Sequence, residues 1–157
     1  MRNLKHNLLY SRPHLLSILL GLMWLLPNLA VAEQMALTWD VDSPDLEWAP
    51  CPEFMPDGCE LAVLQGDPGQ PNADIFFRLP GHTTAPHHWH TSAERMVLVT
   101  GRMEVDFDGQ EPMVLNTGTY AYGPPKLPHT ASCLSDEPCT LFIAFEEPVD
   151  AHATHEH

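Results

Sequence analysis

After Ala32 the chain offers a series of short apolar runs, each closed by Gly or Pro, and no window of eleven residues carries a helical period. Sixteen Pro and nine Gly work against long helices. DIFFRL (74–79) is apolar and aromatic, and RMVLVT (95–100) is as continuous as a strand buried on both faces. Met103, Val105 and Phe107 then alternate with Arg102, Glu104 and Asp106, the period of two that a half-buried strand shows. Asp108-Gly109 marks a hairpin, residues 112–115 begin the return strand, and 129–134 and 140–145 are the last two strands. Gly118, Gly123, Pro124, Pro125 and Pro128 predict a long turn region between them. Short strands with Gly and Pro turns predict an all-β sandwich or barrel.

The first 32 residues read differently. Residues 1–14 carry Arg2, Lys5 and Arg12 and no acid. An apolar run, LLSILLGLMWLL, follows, is broken by Pro27 and Asn28, and leads to Ala30-Val31-Ala32. This is the layout of a secretory signal peptide, residues 1–32, cleaved after Ala32. The apolar run falls short of the roughly 20 residues a spanning helix needs, so no membrane anchor is expected after cleavage. The predicted destination is the periplasm or the exterior. Residues 33–73 form a Pro-rich, irregular lead with one strand candidate, 61–64, and are expected to wrap over one end of the domain at 74–148. Residues 149–157 read as a polar, His-rich and mobile tail.

Export gives the cysteines a meaning. All four lie after Ala32, an even number in an oxidising compartment. Of the three pairings, Cys51–Cys59 with Cys133–Cys139 is preferred because each closes a short loop; the second pair is expected to face across a hairpin. Neither pair has the C-x2-C spacing of a thiolate metal site.

Charge excludes some partners. The chain carries seven basic and 21 acidic residues, a formal −14, and loss of the signal segment leaves four basic side chains and −17. Nucleic acid and an anionic membrane surface both require a basic face.

The chemistry gathers in histidines. In His87-His88-Trp89-His90 a strand period places His88 and His90 on one face, with His87 and Trp89 on the other. Glu94 follows His90 by four residues, so a short turn returns its carboxylate to the same point. His129, after Pro128, opens a later strand and completes the set. Three neutral imidazoles and a carboxylate suit one divalent transition metal: Mn, Fe, Co, Ni, Cu or Zn. His87 is an alternative to His88, His82 reads as a surface loop residue, and His152, His155 and His157 as a solvated tail able to capture metal ions.

These residues stand in a larger pattern. Gly81-x6-His88-x-His90-x3-Glu94-x6-Gly101 resembles the first motif of the cupin superfamily, with six residues rather than the usual five before the first His. Gly118-x5-Pro124-x-Lys126-x2-His129-x3-Cys133 resembles the second, with Lys126 where the pattern has Gly and Cys133 where it has Asn. The resemblance implies a cupin-type antiparallel jelly-roll barrel holding one metal on His88, His90, Glu94 and His129, and pairing through barrel edges as a homodimer. It leaves three functions open: a metal-dependent enzyme on a small organic molecule (dioxygenase, isomerase or lyase), with Glu94 as a catalytic proton carrier; a non-catalytic binder of a small ligand or of the metal; and a structural barrel. The first is preferred, with an oxidoreductase the favoured class. No G-x-S-x-G nucleophile, phosphate loop or dinucleotide fingerprint occurs.

Overall fold

Eleven antiparallel strands in two sheets make up the regular structure of the described residues, 35–154, of the computed structural model. They are β1 (Trp48–Pro50), β2 (Glu60–Gln65), β3 (Asp74–Leu79), β4 (Thr84–Trp89), β5 (Glu94–Thr100), β6 (Arg102–Phe107), β7 (Met113–Asn116), β8 (Tyr120–Gly123), β9 (His129–Cys133), β10 (Cys139–Phe145) and β11 (His152–Ala153). One sheet has the order β1-β2-β3-β10-β5-β8, the other β11-β4-β9-β6-β7. There is no helix among the described residues, so the predicted all-β barrel is the observed fold. The expected signal segment, 1–32, and His155 and His157 lie outside the described residues.

The alternating pattern of β6 decides how the sheets meet. Met103, Val105 and Phe107 are buried while Arg102, Glu104 and Asp106 turn outward. They meet Met96 and Leu98 of β5 and Leu141 and Ile143 of β10 in one core. This apolar burial, at roughly 25 cal/mol per Å², is the main force closing the barrel. Strand β5 is not buried on both faces to the same degree. Met96 and Leu98 face the core, whereas Val97 and Val99 are half-buried on the outer face. There Val99, Phe76 and Phe142 pack with Leu46 and Trp48 of the lead. The lead therefore covers the outer face of a sheet, and it contributes β1 in addition to the expected β2.

Three further expectations are corrected. Residues 149–154 are not a mobile tail: β11 pairs with β4, Val149 N–H donates to Pro68 O at 2.8 Å, and Thr154 N–H donates to His87 O at 3.1 Å. The turn region between Gly118 and Pro128 contains β8, which pairs with β5 and buries Ala121 and Gly123. Both disulfides form as preferred. Cys133 and Cys139, however, do not face across a hairpin; they join β9 in one sheet to β10 in the other. Closing such short loops stabilises each by about 2 kcal/mol through the unfolded chain.

Candidate metal centre

Strand β4 contains Pro86, which has no N–H for a ladder bond. The pairing of β4 with β9 skips from Ala85↔Ala131 to His88↔His129, a bulge across Pro86 and His87. One extra residue shifts the inside–outside phase of the strand. Ala85 and His88 consequently both face the core, although their spacing is odd. The bulge absorbs the sixth residue between Gly81 and His88, and it removes His87 as a ligand candidate. His87 faces outward, its Nε2 2.8 Å from Asp108 Oδ1 and its Nδ1 2.8 Å from Thr154 Oγ1.

His88, His90 and His129 come together in the barrel. All three are buried, and one ring nitrogen from each lies within 4.8 Å of the others. Ring centroids are 4.9 Å apart for His88 and His90, 4.4 Å for His88 and His129, and 5.4 Å for His90 and His129. Glu94, at the start of β5 and 4% exposed, stands beside this group. Its Oε1 is 3.4 Å from His90 Nε2 and its Oε2 is 3.7 Å from His129 Nε2.

The outer nitrogens fix the rings. His88 Nδ1 donates to Pro86 O at 2.6 Å, His129 Nδ1 to Leu127 O at 3.1 Å, and His90 Nδ1 to Asp150 O. A carbonyl only accepts, so each Nδ1 carries the proton and each neutral ring presents an Nε2 lone pair. Backbone carbonyls behind imidazoles are the usual means of fixing metal-ligand tautomers. Burial, then the neighbouring rings of His129 and His90, push the His88 pKa down from 6.5 to about 3. Burial also lowers His129, although Glu94 acts in the opposite sense. Both rings are neutral near pH 7, the state in which imidazole binds metal.

The surroundings hold this arrangement. A Cβ on Gly123 would lie 3.0 Å from Glu94 Oε2 and 3.3 Å from Phe107 Cζ, so a side chain there would crowd the carboxylate and the ring. Lys126 takes a left-handed backbone that favours Gly, with φ +62°, and its N–H donates to His90 O at 2.8 Å. Asp150 was not foreseen. Its backbone oxygen accepts the hydrogen bond from His90 Nδ1, its Oδ1 accepts from Thr91 N–H at 2.8 Å, and its Oδ2 lies 3.0 Å from His152 Nε2. His152, expected in a solvated tail, stacks on Trp89 with centroids 4.2 Å apart. His82 is exposed, beside Asp136, as predicted.

The four clustered side chains form part of the wall of a cavity of about 240 Å³. Strand residues such as Ile75, Val105 and Phe145 supply apolar walls, while Cys51, Pro52 and Met55 of the lead and Val149 and Ala151 of the C-terminal segment also line it. The lead thus contributes to the site through the loop that Cys51–Cys59 closes.

An antiparallel β-barrel with a buried three-histidine centre and an apolar internal cavity is the class of protein these features define. The Cupin_2 family model, described as a cupin domain, matches residues 75–145, and the chain is a member of the cupin superfamily. No curated protein matches it. Among solved structures it is similar to the DMSP lyase DddQ from Ruegeria pomeroyi DSS-3, at 19% identity and TM-score 0.60 over 69% of this chain and 61% of that one. It is similar to the polyketide cyclase RemF from Streptomyces resistomycificus, at 16% identity and TM-score 0.62 over 77% of this chain and 88% of that one. It is also similar to Rru_A2000 from Rhodospirillum rubrum, a cupin-2 domain, at 16% identity and TM-score 0.60 over 78% and 82%. The match spans about three fifths of the length of the lyase, and all three likenesses concern the fold.

Proposed function

We propose that this cupin is exported, holds one divalent transition metal on His88, His90, His129 and Glu94, and acts as a metal-dependent enzyme on a small organic molecule. One observation carries the reading: three buried imidazoles each tie Nδ1 to a backbone carbonyl and turn Nε2 to a shared point. Neutral imidazoles with an adjacent carboxylate fit a borderline divalent ion. When bound, such an ion supplies Lewis acidity toward an oxygen donor of the substrate.

The chain's own residues do the rest. The apolar walls exclude water and orient the substrate. Glu94 takes a proton from the substrate and returns it, because it is the one carboxylate in the cavity wall not engaged elsewhere; that of Asp150 is held by Thr91 and His152. Lyase and cyclase activities on similar barrels support catalysis within such a cavity. Two disulfides support an oxidising compartment, and the pattern of residues 1–32 supports export to it.

A second reading, a non-catalytic binder, is favoured by the presence of one free acid–base group that also serves as a ligand. Elemental analysis of purified protein tests the shared part. About one metal per chain is expected in the wild type and a strongly reduced content in His90→Ala and His129→Ala; a metal-free wild type overturns the reading. Turnover by metal-loaded protein separates enzyme from binder.

A further inference from the structure

The walls of the cavity restrict what can enter it. Four cationic side chains occur among the described residues, Arg78, Arg95, Arg102 and Lys126, and none lines the cavity. Arg95 pairs with Glu146 on the surface, and the Arg78 guanidinium lies 3.7 Å over the Trp48 ring. No hydroxyl or amide side chain lines the cavity either. Apart from Asp150, its polar side chains are the three imidazoles and Glu94. The remaining wall is apolar, with Met55, Leu61, Phe77, Met96 and Leu141 among its members.

Resting on the metal-centre reading above, we infer that the substrate is an uncharged molecule of about one ring's size, with an apolar body and a single head of oxygen donors. The head meets the histidine cluster, where all the free polar groups are. The body meets apolar carbon. A cavity of roughly 150 Å³ takes one benzene ring, so about 240 Å³ takes a ring with a short substituent. A second anionic group would enter a space with no cation beside Glu94, on a chain whose formal charge is already −14. Each further hydroxyl left without a partner costs about tenfold in affinity. Dicarboxylates, sugar acids and phosphate esters are therefore rejected by the walls.

Two probes share a 1,3-dioxygen head and differ in the rest: benzoylacetone, neutral with a phenyl ring, and malonate, a dianion without one. Calorimetric titration is done on metal-loaded and on metal-stripped full-length mature protein, with metal content measured alongside. Benzoylacetone is expected to bind the loaded protein at least a hundredfold more tightly than malonate, and to retain weak binding to the stripped protein through its ring. Leu61→Arg places a cation in the half-buried wall; it is expected to keep the metal, weaken benzoylacetone and strengthen malonate by tenfold or more. Equal or tighter malonate binding by the wild type overturns the inference, as does Leu61→Arg leaving the preference unchanged with metal retained. Absence of metal from the wild type overturns the metal-centre reading instead. The preference of the stripped protein for benzoylacetone then still decides the inference.

Discussion

The Nδ1–H of His90 donates to the carbonyl oxygen of Asp150, sixty residues further along the chain. One ring of the centre is thus oriented by a segment that follows the last long strand. The Asp150 carboxylate in turn anchors Thr91 N–H, next to His90. Asp150→Ala keeps the carbonyl but frees the segment that carries it. Groups behind a ligand typically contribute tenfold or more to metal affinity. Metal affinity, measured by competition with a chromophoric chelator, is expected to fall about tenfold with little change in the melting temperature of the stripped protein. Unchanged affinity would show that the segment does not position His90.

Glu94 touches His90 and His129 but falls outside the tight group of three ring nitrogens. That geometry suits a group that can leave the metal to move a proton. Glu94→Gln preserves size and removes the basic oxygen. The variant is expected to keep most of its metal, since three imidazoles remain, and to lose turnover by at least a hundredfold. Retained turnover at full metal content would end the proton-carrier role; loss of metal would make Glu94 a structural ligand.

Much of this cluster was legible because its side chains lie on or next to strands with simple phase. The His-x-His-x3-Glu spacing and the isolated His129 carry enough pattern to be read directly. The period of two in Met103, Val105 and Phe107 likewise identifies the core face of β6. The alternation of β4 was readable at His88 and carries on to His90 just beyond the strand, but the bulge before His88 was not, because it depends on pairing with β9. Strand β8 was hidden for a different reason: four residues between Gly118 and Pro124 look like a turn, and only pairing with β5 extends them. Asp150 gave no signal, since its role is played by a backbone carbonyl that every residue has. The Pro-rich lead reads as irregular, yet Met55 reaches the cavity because the Cys51–Cys59 loop folds back over it.

The buried imidazoles set the pH dependence of the metal-free protein. The His88 pKa falls from 6.5 to about 3 on folding, and that of His129 falls too. A histidine with a depressed folded pKa is neutral in the native state and takes up a proton on unfolding at any pH between the two values. Stability is therefore fully present above pH 6.5 and is lost as the pH drops, by up to about 1.4 kcal/mol per pH unit for each ring. Denaturant midpoints of chelator-stripped protein are expected to fall steadily from pH 7 to 4.5, and His88→Gln should make the fall shallower. A flat profile, or a His88→Gln profile as steep as the wild type, would show that His88 does not stay neutral on folding.

Gly123 tests whether space, rather than backbone freedom, holds the carboxylate. Its φ is not in the left-handed region, so Ala fits the backbone there. The added methyl would instead crowd Glu94 Oε2 at 3.0 Å and the Phe107 ring at 3.3 Å. Phe107 is packed against the His129 ring at 4.8 Å between centroids and is fully buried, so it has little room to yield. The carboxylate is the freer neighbour and is expected to move away from His129. Overpacking of this kind costs about 1–3 kcal/mol. Gly123→Ala should therefore lower the melting temperature by several degrees and weaken metal binding together. Gly118→Ala is the contrast: it strains a φ of +84° with nothing within 4 Å of the new methyl, and should lower stability while leaving metal affinity intact. If Gly123→Ala binds metal as tightly as the wild type, the contact between β8 and Glu94 has no part in shaping the centre.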